Sequence, residues 1–121
     1  MPLRVGIDLV KAATVQDALA EHGARYLDRV YTPAEQEQCG GDPLRLAARF
    51  AAKEATMKVL QPRADDALPW LAIEVVRNPD AAPAIALHGA AAALARQAGL
   101  TELALSFTHE DEYAAAVVVG T

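Results

Sequence analysis

The 121-residue chain has one cysteine, six aromatic residues and three histidines, and no apolar run near the length of a membrane span. A lone Cys39 forms no internal disulfide and suits a reducing compartment. Without about 20 consecutive apolar residues there is no expected transmembrane helix. The opening Met-Pro-Leu-Arg-Val has no basic segment followed by an apolar one, so no secretory signal is expected and the cytoplasm is the expected location. His22, His88 and His109 stand too far apart for a zinc-type motif. Basic residues number 11 against 16 acidic, a net charge of -5, which argues against general nucleic-acid binding. The length is that of one domain, 1–121. With 28 alanines and few aromatics the core is thin, and self-association is a reasonable expectation.

Hydrophobic periodicity supplies the framework. Leu3, Val5, Ile7 and Leu9 alternate with Arg4, Gly6 and Asp8, which predicts a first strand. A helix is expected over 10–22, stopped by Gly23, and further helical turns over 25–31. Thr32-Pro33-Ala34-Glu35 has the form of a capping box, with proline at the first helical position. Asp42-Pro43 opens the longest helix, which ends before Pro62, and 62–69 is a loop. Strands are expected over 70–76 and 83–87 around Asn78-Pro79-Asp80, then a helix over 88–98 closed by Gly99. Leu103, Leu105 and Phe107 mark a strand, Glu110-Asp111-Glu112 a turn, and 113–119 a final strand. This is an α+β order with about five mostly antiparallel strands packed on a long central helix plus shorter helices.

Two pairs on the long helix invite chemistry. Glu54 and Lys58 are four apart and share a face. Arg49 and Lys53 form a second pair, of like charge, which costs a little unless an anion lies between them. A solvated helix face explains both; so does a polyphosphate site in which Glu54 holds a metal and the cations hold phosphates. Asp8 lies beside Gly6 on the less apolar face of the first strand, where a glycine lets another backbone or a ligand approach closely. Asp8 and Glu54, if brought together, would offer hard oxygen ligands that suit Mg²⁺. His109 falls in phase with Phe107, and Cys39 has no neighbouring base.

Gly6-Ile7-Asp8-Leu9-Val10, Arg29-Val30-Tyr31-Thr32 with Glu35 and Cys39, and Arg49-Phe50-Ala51-Ala52-Lys53-Glu54-Ala55 with Lys58 occur in order. Trp70 with Ile73-Glu74-Val75, Leu105-Ser106-Phe107-Thr108-His109 and Tyr113-Ala114-Ala115-Ala116-Val117-Val118 complete the series. Together they resemble the small holo-acyl-carrier-protein synthases, the short group of 4'-phosphopantetheinyl transferases. The resemblance implies that group's fold, and transfer of phosphopantetheine from coenzyme A to a serine of an acyl carrier protein of fatty acid or polyketide type, releasing adenosine 3',5'-bisphosphate. It implies Mg²⁺ at Asp8 and Glu54, a catalytic set of Asp8, Glu54 and Lys58, and a coenzyme A site at Arg49, Lys58 and His109, with Lys53 beside the phosphates. It also implies a homotrimer with its sites between subunits. The chain departs from the pattern in three places. Residues 59–64 lack a Gly-Thr-Gly-like stretch, Thr14 replaces a first-helix arginine, and Asp80-Ala81-Ala82-Pro83 replaces a glycine turn. A second reading is a homologue that holds coenzyme A or a carrier but transfers weakly or not at all.

Overall fold

The computed structural model describes residues 2–121. Strand β1 (Arg4–Lys11) leads into helices α1 (Ala12–His22), α2 (Ala24–Val30) and α3 (Pro33–Cys39), then the long α4 (Pro43–Leu60). A 3₁₀ turn at Trp70–Ala72 precedes β2 (Ile73–Val76) and β3 (Ala84–Leu87), followed by α5 (Gly89–Gln97), β4 (Leu103–Glu110) and β5 (Tyr113–Gly120). β1, β5 and β4 form one antiparallel sheet in that order, and β2 and β3 form a separate antiparallel pair. The α+β architecture, with five antiparallel strands around a long central helix, is as the sequence predicts. Two boundaries differ by more than one residue. Val10 and Lys11 stay in the strand because β5 pairs with them through Ala114 and Tyr113, and Trp70–Ala72 forms a 3₁₀ turn before the strand begins.

The alanine bias has a packing reason. α4 lies against β1 and β5, and its buried Ala51, Ala52 and Ala55 face a sheet surface that includes Ala114, Ala116 and Val118. Small side chains on both sides let helix and sheet approach closely. At Gly6 the approach is limiting: a Cβ there would lie 2.0 Å from the Ala55 carbonyl oxygen and 3.1 Å from Lys58 Cβ. The backbone that this glycine admits is that of α4.

The face of β1 that packs on α4 is the less apolar one. Val10 and Gly6 are buried, while Leu3, Val5, Ile7 and Leu9 point away, each 64–75% exposed. Register places Val5, Ile7 and Leu9 beside Val119, Val117 and Ala115 of β5, themselves only half-buried. One side of the three-stranded sheet is therefore an uncovered apolar surface, of the kind that marks an interaction site.

The capping box forms. Thr32 Oγ1 accepts from the Glu35 amide, and Glu35 Oε1 accepts from the Thr32 amide. α4 starts at Asp42, whose side chain accepts from the Leu44 amide. It ends at Gln61, which takes the left-handed conformation with φ 51°. The chain thus turns sharply at the position where the expected glycines are missing.

Candidate active site

Arg49 and Glu54 are five residues apart, which is about 140° around a helix of 3.6 residues per turn. They therefore serve opposite flanks of α4, and the structure has a cluster on each.

On the β1 flank, Lys58 Nζ donates to Asp8 Oδ1 at 3.3 Å and to the Ile7 carbonyl at 2.6 Å. The expected Glu54–Lys58 partnership thus gives way to Lys58–Asp8, because β1 runs directly over α4 at Gly6. Glu54 is half-buried, and burial first, then the charge of Asp8, pushes its carboxyl above the ordinary value, with Lys58 acting in the opposite sense. Two carboxylates set this close together, the charge of one holding the other's proton on, are a place for a cation. Their hard oxygens fit Mg²⁺, which takes one or two carboxylates and completes its shell with water and phosphate oxygens. No group of three or more His, Cys, Asp or Glu side chains that could hold a metal ion occurs among the described residues.

On the β4 flank lies an open cleft of about 570 Å³, walled by Gln38, Arg45, Arg49, Arg77, Phe107 and His109, with Ala48 and Pro79. Arg49 is only 3% exposed. Its guanidinium sits 5.8 Å from the Phe107 ring centre and donates weakly to Gln38 Oε1 at 3.5 Å. Its Nε has no partner. A buried guanidinium stays charged, and leaving one without a counter-charge is costly. Arg45 and Arg77 add two exposed cations to the same cleft. The cleft is built for an anion with more than one negative group. His109 also lines a second recess of about 320 Å³ with Leu9, Thr108 and Tyr113, on the outer side of the sheet. It therefore sits where the cleft rounds the β4 edge.

The two clusters are separate within one chain. Asp8 and Phe107 stand opposite the same β5 residue, Ala116, so two strand spacings, about 10 Å, lie between them, with α4 packed across all three strands. The structure thus brings Asp8, Glu54 and Lys58 together, and places Arg49 with His109 elsewhere.

Lys53 belongs to neither cluster, contrary to its expected place beside phosphates. It is fully buried, and Nζ donates to Glu35 Oε1 at 2.8 Å and to the carbonyls of Trp70 and Ile73. Burial pulls its ammonium down from the ordinary value and Glu35 partly offsets this. The like-charge tension with Arg49 is relieved by Glu35, a residue 18 positions away that the capping box had already claimed. Cys39 is buried, and burial pushes its thiol up to about 11, as expected of an inert cysteine. Arg45 and Arg77 went unrecognised in the sequence. The i−4 spacing of Arg45 from Arg49 is a signal for the first; nothing local marks the second.

The 4'-phosphopantetheinyl transferase superfamily description matches residues 4–118. The holo-[acyl-carrier-protein] synthase of Koribacter versatilis is 38% identical over 122 residues, covering 98% of each chain. That of Chloroflexus aurantiacus is 41% identical over 133 residues, covering 94% of each. The crystal structure of the Helicobacter pylori holo-[acyl-carrier-protein] synthase in complex with coenzyme A superposes with a TM-score of 0.85 at 30% identity, over 97% of this chain and 99% of that one. The chain belongs to the 4'-phosphopantetheinyl transferase superfamily, and within it to the holo-[acyl-carrier-protein] synthases.

Proposed function

We propose that the chain transfers the 4'-phosphopantetheine arm of coenzyme A to a serine of an apo acyl carrier protein in the cytoplasm, with Mg²⁺, releasing adenosine 3',5'-bisphosphate. The observation that carries this reading is Arg49, a buried cation whose Nε has no partner and which lines a cleft together with two further arginines. Such a cleft suits the several phosphates of coenzyme A. Two of the expected coenzyme A residues, Arg49 and His109, line it, and Arg45, Arg77 and Gln38 extend it.

Phosphoryl-type transfer needs positioning and charge neutralisation more than a protein nucleophile. Asp8 and Glu54 are the residues that would hold Mg²⁺, which supplies Lewis-acid polarisation of the pyrophosphate. Lys58, more than half exposed and tethered to β1, offsets charge on the transferring or leaving oxygens. Glu54, directly or through a water that the metal would hold, is the acceptor for the proton of the attacking serine.

The working enzyme is a cyclic homotrimer with its sites between copies. Two features support this. The outer face of the β1-β5-β4 sheet is apolar and uncovered. The carboxylate cluster and the arginine cleft also sit at opposite edges of that sheet, so one copy's β1 flank can meet the next copy's β4 flank in a head-to-tail ring.

The carrier presents an acidic helix, whereas this chain has net charge -5. Docking therefore relies on a local basic patch rather than long-range attraction. Lys11, Arg25 and Arg29 are all exposed near the first helices, and Arg25 is the best candidate in place of the missing arginine at Thr14.

The test is incubation with coenzyme A, Mg²⁺ and an apo carrier, read by intact mass. The reading expects addition of phosphopantetheine to the carrier, abolished by Asp8→Ala or Glu54→Ala with the fold retained. A carrier that stays apo while the protein binds coenzyme A would identify a non-catalytic homologue.

A further inference from the structure

Glu35–Lys53 is the only ion pair among the described residues with both side chains fully buried. Besides pairing with Lys53 at 2.8 Å, Glu35 accepts the Thr32 amide on Oε1 and the Val75 amide on Oε2, at 2.8 and 2.9 Å. Lys53 holds the Trp70 and Ile73 carbonyls from the other side. Neither side chain reaches the arginine cleft, yet each element they grip carries one of its walls. α3 presents Gln38 three residues after Glu35. α4 presents Arg49 one turn before Lys53. β2, held at Val75, delivers Arg77 two residues later.

Stability alone is a weak reason to keep such a pair, since apolar replacements of buried ion pairs are often neutral or stabilising. Arg77 is exposed and takes part in no ion pair among the described residues, so its place depends on the strand that carries it. We infer that the Glu35–Lys53 pair is a positioning device that sets the affinity of the arginine cleft for coenzyme A by fixing β2, and with it Arg77, against α3 and α4. The inference rests on the cleft being the coenzyme A site. The carboxylate cluster hangs on β1 and the far face of α4, outside this linkage, so the chemical step is independent of it.

Glu35→Gln removes the counter-charge of Lys53 and the link to β2 together. The amide keeps an oxygen for Lys53 and the Thr32 amide but turns an N–H₂ toward the Val75 N–H, which breaks the link to β2. A second tie holds the fold: Thr32 Oγ1 donates to Glu74 Oε2 at 2.8 Å, and Glu74 Oε1 meets His88 at 3.0 Å. Coenzyme A binding is measured by calorimetry and turnover by carrier mass. The expected result is a dissociation constant about tenfold higher, roughly 1.4 kcal/mol, with kcat at saturating coenzyme A near wild type. In an Arg77→Ala background, itself weakened, Glu35→Gln is expected to add almost nothing, because it acts through Arg77. Additive losses, unchanged affinity, or a fall in kcat with KM intact would each overturn the inference. If Glu35→Gln does not fold, Glu35→Asp keeps the buried charge but is too short for Val75, and enters the same cycle. Arg49→Ala separates the two levels: unchanged coenzyme A affinity there overturns the cleft assignment, and the inference with it. Weakened binding in Arg49→Ala beside wild-type binding in the Glu35 variants overturns the positioning role alone.

Discussion

Ile7→Asp tests whether the uncovered sheet face is where copies meet. Ile7 sits mid-row on β1, opposite Val117, and is 65% exposed in one copy. Full burial of such a side chain is worth about 1.5–3 kcal/mol, so roughly 1–2 kcal/mol remains to be gained on assembly. An aspartate loses that and adds the desolvation of an unpaired carboxylate, several kcal/mol in a buried setting. Together about 4 kcal/mol per contact is lost, close to a thousandfold in association. Within a single copy the position faces solvent, so the cost to folding is that of strand preference, about 1 kcal/mol or less. Light scattering coupled to size exclusion is expected to show a folded monomer, and the carrier assay almost no transfer. A variant that remains trimeric with full activity, or a monomer that transfers normally, would refute the reasoning.

Arg25→Glu should raise KM for the carrier by the scale of one exposed ion pair, about 0.5–1 kcal/mol. KM for coenzyme A should stay near wild type and the response to salt should shrink; unchanged carrier kinetics at low salt would move docking to another face. Glu54 binds a proton more tightly in the fold than when unfolded. Its protonation stabilises the metal-free protein fully below the ordinary carboxylate value of 4.5, and that contribution is lost as pH rises through the higher folded value. Mg²⁺ should therefore raise the melting temperature at neutral pH, have no effect in acid, and have none at any pH in Glu54→Gln. Gln61→Gly should stabilise the protein by about 0.5–1 kcal/mol in denaturant unfolding, because the left-handed φ of 51° strains a residue with a Cβ. Destabilisation there would mean that the Gln61 side chain makes a contact worth more than the strain.

Elements with a local signature were legible in the sequence. The capping box at Thr32, the Asp42-Pro43 start of α4 and the alternation of β1 all formed where the spacing put them. Alternation fixes which residues share a face, but not which face is buried. In β1 the greasier row is outermost, because Gly6 is what α4 needs and the opposite row is free for a partner. The candidate site was legible in placing Glu54 and Lys58 on one flank of α4, although Lys58 pairs with Asp8 rather than with Glu54. It was misread at Lys53, because helix spacing shows like charges one turn apart and cannot show Glu35 arriving from another helix to neutralise one of them. Arg77 carries no local mark at all, since only the return of β2 along α4 brings it to the cleft.

A mixture of two inactive chains tests most directly that each site is built from two copies. Glu54→Ala lacks the carboxylate cluster and Arg49→Ala lacks the cleft's buried cation; each alone should fail to transfer. Co-expressed in equal amounts, they should regain about a quarter of wild-type activity, since in a randomly assembled ring a quarter of the junctions join an intact β1 flank to an intact β4 flank. Co-assembled trimers of the two variants with no recovered transfer would contradict the account and place the whole site within one chain.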